Sequence, residues 1–284
     1  MHFQNFVDTV KQNAWELHGI EVFQKGQIVE QYHANLGRHP IYSATQSVTS
    51  LAVGMAVDDG KFDIHAPLYE YLKSEVPVYA SVEQLENLKK ITIQRLLTMS
   101  VKGYPFRPEG DNWLEYSLLY PLQNVEEKEF DYSNISAYLV GVAVAKALNR
   151  QLYDYLEERL FAPLEIVKPE YQNCSSGFFY GASGMYLTVR ELAKIGQVCL
   201  QKGIYNGQRI VSEEYLAEAT SVQQRNKEGG YGYYFWKYKD GYRISGKWGQ
   251  RCHIFPDKDM MVTYLSNMEH GSEKLTKAME EWIL

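Results

Sequence analysis

The chain has 284 residues, 45% of them hydrophobic, enough for one large domain or two closely joined ones around an ordinary globular core. A formal net charge of -6, with lysines and arginines scattered rather than blocked, offers no basic field to a phosphate backbone and excludes nucleic acid as the expected partner. Three widely spaced cysteines, Cys174, Cys199 and Cys252, contain no CxxC and are odd in number, against both a disulfide framework and a zinc site.

The first residues lack the apolar core of a secretory leader, and no stretch approaches the roughly 18 apolar residues of a spanning helix. A cytoplasmic location without a membrane span is therefore expected, or an extracytoplasmic one if a leader has been removed. Tyrosine is abundant, at 23 residues, and such side chains suit sites that need an apolar face with a hydroxyl, although they also serve interface packing.

In chain order, residues 3 to 14 read as a helix. Two alternating runs, 19–26 and 27–32, meet at Lys25-Gly26 and predict a hairpin. The stretch from Ile41 to Val57 is small and apolar almost throughout, a buried helix that starts at Ser43 and ends near Asp58-Asp59-Gly60. From about 61 to 175 the pattern is helical with long loops, including a Gly/Pro-rich loop at 103–110. The longest helix of this block, 133–149, is apolar on nearly every face and so is expected to be buried on all sides. Helices at 189–201 and 212–220 follow, with Thr188 and Ser212 as caps. Runs at 231–238, 252–255 and 260–265 predict an antiparallel meander, and a helix over 272–283 closes the chain. The fold class is α+β. The hairpin and meander share one antiparallel sheet flanked by terminal helices, over residues 1–60 and 176–284, with 61–175 as a helical insertion and a cleft between the two parts.

The familiar cofactor and nucleophile motifs, GxGxxG, HExxH and GxSxG, are absent, and the seven histidines show no ligand spacing. Gly241–Lys247 resembles a phosphate loop but ends on Trp248 and has no helix after it. No cofactor or metal is expected. Ser43-Ala-Thr-Gln46 has two readings: a capping box, or a nucleophile at a helix start, where dipole and free N–H groups favour negative charge. Tyr132-Ser133-Asn134 places a phenol and a carboxamide at the mouth of the second buried helix, or simply caps it. Lys247, flanked by glycines in the strand region, sits where a ligand can approach the backbone, or in a turn with a bulge.

Together and in this order the three segments resemble the serine β-lactamase and penicillin-binding protein superfamily, in its class C-like esterase and D-aminopeptidase branch. There a Ser-x-x-Lys opens a buried helix, a Tyr-x-Asn opens a second, and a Lys-Thr-Gly type triplet lies on an edge strand. Here these are Ser43-Ala-Thr-Gln46, Tyr132-Ser133-Asn134 and Lys247-Trp248-Gly249, and the segments 91–99, 181–188 and 255–259 extend the likeness over most of the chain. The resemblance implies a β-lactamase/transpeptidase-like fold and a serine hydrolase acting on an amide or ester, whether β-lactam, peptide or small ester. It implies Ser43 as the nucleophile that forms an acyl-enzyme and Tyr132 as the proton shuttle. The Ser43 and Gln250 N–H groups would form the oxyanion hole, with Asn134, Trp248, Gly249 and Gln250 along the substrate. Lys247 would steer a carboxylate or lower the pKa of Tyr132. Tyr104, Tyr116, Tyr233 and Trp248 are candidates for shaping the cleft.

One position departs from the pattern. Gln46 stands where the family carries lysine, and an amide donates a hydrogen bond but takes no proton at neutral pH. The expected activity is therefore reduced or abolished; the alternative is a silent ligand-binding homologue, or a chain in which the lysine was exchanged to stall turnover.

Overall fold

The computed structural model describes residues 1–284. Helix α1 (Phe3–Gln12) lays Phe3, Phe6, Val7 and Val10 on one face, at the spacing of an amphipathic helix. Strands β1 (Leu17–Gln24) and β2 (Gln27–His33) form the expected hairpin, β3 (His39–Pro40) is a two-residue strand, and α2 (Ala44–Asp58) begins immediately after Ser43. Helices α3 (Leu68–Leu72), α4 (Val82–Lys90), α5 (Ile93–Leu97), α6 (Trp113–Leu119), α7 (Asn134–Leu148) and α8 (Leu152–Leu156) make up the helical block. Helix α8 passes directly into a π-helical turn at Glu157–Phe161. Next come β4 (Tyr186–Leu187), α9 (Val189–Leu200), the small hairpin β5 (Ile204–Tyr205) and β6 (Gln208–Arg209), and α10 (Glu213–Thr220). The chain ends with β7 (Trp236–Tyr238), β8 (Gly241–Gly246), β9 (Gln250–Phe255), β10 (Met260–Ser266) and α11 (Glu273–Trp282).

The main sheet has six strands in the order β2-β1-β10-β9-β8-β7, all paired antiparallel. The N-terminal hairpin thus continues the C-terminal meander, as the element order suggested. Helices α1 and α11 pack together over one face, where a cluster of 15 buried residues includes Phe6, Ile20, Val262 and Leu275. Helix α9 covers the other face, and a core of 71 buried residues runs from there through α2 and α7 into the helical block.

Helices α2 and α7 touch and are buried over nearly their whole lengths, which accounts for apolar or small residues on every face. Leu51, in the middle of α2, is fully buried, and Leu51→Ala would cost about 2–5 kcal/mol through lost transfer energy and the cavity left behind.

Two strand assignments differ from the sequence reading. Of 231–238 only Trp236–Tyr238 is strand: Tyr231 makes isolated bridges to Gln224 and Trp236, and Tyr234 has a positive φ of 65° that breaks the ladder. Strand β8, bounded by Gly241 and Gly246, was not anticipated, because its glycines and charges read as a turn. Lys247–Gly249 is accordingly no edge-strand triplet. It is the tight turn from β8 to β9, with Trp248 in the left-handed region at φ 61°.

Candidate active site

The first buried helix begins at a constrained turn. Tyr42 has a φ of 48°, a conformation that an L-residue adopts only when its surroundings hold it there. Its ring packs edge-on against Trp248 at 5.0 Å, so two aromatic residues of left-handed backbone lock the start of α2 to the β8–β9 turn. Between them β8 approaches very closely: a Cβ on Gly246 would lie 2.1 Å from the Ile41 carbonyl oxygen and 3.2 Å from the Ala44 nitrogen. Only glycine fits.

This turn leaves Ser43 in helical backbone, φ -65° and ψ -8°, with no hydrogen bond from its side chain to the helix amides. The capping-box reading of Ser43 and Gln46 is therefore corrected. An N-cap needs extended backbone to fold its oxygen over the first turn, and Ser43 does not have it. Its hydroxyl instead lines a cleft of ≈ 690 Å³.

Gln46 points into a buried polar knot. Its Nε2 donates towards the Tyr132 phenol oxygen at 2.7 Å, Asn134 Oδ1 at 3.1 Å and the Ala182 carbonyl at 3.3 Å. Its Oε1 faces the Tyr231 hydroxyl at 3.4 Å, and the residue is only 2% exposed. One nitrogen is thus surrounded by three acceptors, whereas an amide NH₂ carries two protons and an ammonium three.

Tyr132 joins this knot to the nucleophile. Burial pushes its pKa up to about 12, against the smaller opposing effects of hydrogen bonds with Ser43 and Gln46. Lys247 is not among the groups acting on it. The expectation that Lys247 lowers the Tyr132 pKa is thereby corrected: the Lys247 ammonium lies over the Trp248 ring at 4.4 Å, and the phenol is neutral at pH 7. Asn134, 6% exposed, completes the arrangement by donating through Nδ2 to the Tyr180 hydroxyl at 3.3 Å.

The fold brings Ser43, Gln46, Tyr132 and Asn134 together, with Ser43, Asn134 and Lys247 on the wall of the cleft. It leaves other candidates outside. Gln250 is 1% exposed, and its side chain donates to the carbonyls of Lys247 at 3.1 Å and Ser266 at 2.6 Å and accepts from the Ser266 amide at 3.2 Å. It clamps the sheet and does not face the cleft. Gly249 is packed against Ser266, and Trp248 supports Tyr42. Tyr104 and Tyr233 are buried, and the aromatic residues that line the cleft are Tyr42, Phe106, Trp113 and Tyr180. Sequence reasoning also passed over Arg107, Gln172 and Ser183 in the lining, and the Ala182 carbonyl beneath. The Gly/Pro-rich loop was the one available signal for Arg107. No group of three or more metal-ligating side chains is gathered anywhere.

Comparison with known proteins bears on the family and the fold. A family profile described as Beta-lactamase matches residues 19–282. A 6-aminohexanoate-dimer hydrolase of Paenarthrobacter ureafaciens is 22% identical over 289 aligned positions, covering 90% of this chain and 74% of that protein. A class C β-lactamase from Rhodobacter sphaeroides superposes with a TM-score of 0.79 at 15% identity, over 99% of this chain and 98% of its own. A penicillin-binding protein from Bacillus halodurans gives 0.74 at 17% identity, over 97% and 99%. The antiparallel sheet with its helical block is the β-lactamase/transpeptidase fold, and the chain belongs to the β-lactamase family.

Proposed function

We propose that the chain is a serine hydrolase of the β-lactamase and penicillin-binding protein superfamily, with Ser43 as its nucleophile and Gln46 as the brake on its rate. Membership of the family and the hydrolases among its relatives support the class of reaction. The observation that carries the finer reading is the Gln46 site, one nitrogen among three acceptors beside the Tyr132 phenol that neighbours Ser43. That shell suits an ammonium and is filled by an amide.

In this reading Ser43 Oγ attacks the carbonyl of an ester or amide and its proton passes by way of Tyr132 to the leaving group; water then hydrolyses the acyl-serine. The phenol, neutral at pH 7, is a competent acid but a poor base, so the first proton transfer is slow. The oxyanion is met by the Ser43 amide and by that of Lys247, the first residue after the close approach of Gly246 to the start of α2. Gln250, opposite Gly246 in the ladder, is the less suitable donor. Asn134 holds a substrate amide.

The test is hydrolysis of a chromogenic ester and a chromogenic cephalosporin by the native chain and its Gln46→Lys form. The native chain is expected to be slow and the lysine form faster by about two to four orders of magnitude, the usual weight of a positioned base. If the lysine form turns over neither substrate class, the reading fails.

A further inference from the structure

We propose that Arg107 reads a carboxylate on the acyl part of the substrate, so that the cleft selects anionic esters or amides over neutral ones. The proposal rests on the Ser43 chemistry above.

Arg107 lies on the loop between α5 and α6, and that loop is fastened to the segment that carries Tyr132 and Asn134. The Gly103 amide donates to Asp131 Oδ2 at 2.8 Å, the Ser133 hydroxyl to the Pro105 carbonyl at 2.7 Å, and the Asn134 amide to the Phe106 carbonyl at 2.8 Å. The Phe106 ring lies roughly parallel to that of Tyr132, with centroids 6.3 Å apart. Arg107, the next residue, is thus set over the cleft by the same backbone that places the phenol.

Its charge has no partner there. Arg107 makes no ion pair and faces no aromatic ring, although it lines the cleft together with Ser43. Glu109, the one carboxylate in the lining, acts on Tyr116, whose pKa is raised by burial and then by Glu109. The other cation, Lys247, is engaged with the Trp248 ring. Arg107 acts on Tyr180: burial raises that phenol's pKa, while the Asn134 hydrogen bond and the Arg107 charge oppose the rise. The guanidinium therefore lies within electrostatic reach of Tyr180, in the lining that also holds Ser43, Asn134 and Lys247. A planar, unpaired fork at that place matches a carboxylate in two-point contact, which neither an amide nor a methyl group reproduces.

The test compares 4-nitrophenyl hydrogen glutarate with 4-nitrophenyl valerate, esters of equal acyl length that differ in a terminal carboxylate. The ratio of their kcat/KM values is measured in the Gln46→Lys form and again with Arg107→Gln, Arg107→Lys or Lys247→Gln added. Arg107→Gln is expected to lower the ratio by about tenfold to hundredfold, the range of a lost charge-assisted contact, with Arg107→Lys in between. A ratio unmoved by Arg107→Gln, or one lowered only by Lys247→Gln, overturns the proposal. Binding of glutaric acid monoamide and of valeramide, which differ in the terminal carboxylate, followed by saturation-transfer NMR in the native chain and its Arg107→Gln form, separates the two claims. Selective, Arg107-dependent binding of the monoamide without ester turnover sustains the carboxylate site and defeats the hydrolase reading. Equal binding of the two amides overturns the carboxylate site itself.

Discussion

Two Ser-x-x-Gln sequences open helices in this protein and fold in opposite ways. Ser81 has extended backbone, φ -69° and ψ 158°; its hydroxyl accepts the Gln84 amide at 3.1 Å, and Gln84 Oε1 accepts the Ser81 amide at 2.8 Å. At Ser43-Ala-Thr-Gln46 neither bond forms, since Ser43 is already helical and Gln46 is turned towards Tyr132, Asn134 and Ala182. The motif at residue 81 lies at the surface and closes its capping box within its own first turn, leaving Gln84 Nε2 to donate to the Leu119 carbonyl. The one at residue 43 is held by the left-handed Tyr42 just before it and by groups far away in sequence, the close approach of Gly246 and the polar knot under α2. A capping pattern reports a helix start, and the surroundings decide whether its hydroxyl serves the helix or the solvent.

The largest expected effect that sharpens this contrast is in the pH dependence of rate. With a neutral amide at 46 and a phenol that stays protonated until about pH 12, ester hydrolysis by the native chain should climb steadily from pH 7 to 10 as the phenolate fraction grows. Gln46→Lys should bring a plateau near neutrality, and a flat native profile would show that Tyr132 takes no part in removing the proton.

A smaller effect concerns stability. Gln46→Leu leaves the acceptors at Asn134 and Ala182 buried without a donor and should cost about 1–3 kcal/mol in chemical denaturation. Gln84→Leu, which loses the reciprocal cap bond and the bond to the Leu119 carbonyl at a partly solvated site, should cost less, about 1 kcal/mol. Equal costs would remove the distinction between the two glutamines.

The smallest effect is the most specific. Ser81→Ala should lower stability by about 1 kcal/mol, as the loss of an N-cap does, whereas Ser43→Ala should leave stability nearly unchanged because no cap is lost. A matching loss at Ser43 would restore the capping role that its backbone denies.

The fold was legible in the sequence wherever the signal was local. The apolar runs of α2 and α7, the hairpin at Lys25-Gly26, and the caps Thr188 and Ser212 all stand where periodicity and end signals put them. Strand β8 was not legible, because Gly241 and Gly246 mimic turn residues; Gly246 is there for its contact with Ile41 and Ala44, more than 200 positions earlier. In the site, Ser43, Gln46, Tyr132 and Asn134 are named through the family resemblance that the three segments carry together; residue type and spacing alone leave each beside a capping reading. The fourth partner of Gln46, a backbone carbonyl at Ala182, carries no residue-type signal. Lys247 drew attention as a lysine flanked by glycines, but the residue of β8 that reaches α2, Gly246, comes just before it. Gln250 was expected to offer its backbone N–H to an oxyanion; its side chain holds two strands together, a role that residue type does not announce.

The most direct measurement is the site of covalent attachment in the Gln46→Lys form. The protein is incubated with a fluorescent penicillin or an activated ester, quenched in acid, weighed intact and mapped by tandem mass spectrometry. A single adduct on Ser43, absent from the doubly substituted Gln46→Lys, Ser43→Ala form, is the expected result. No adduct, or one that persists after Ser43→Ala, would contradict the claim that the uncapped serine at the head of α2 is the nucleophile.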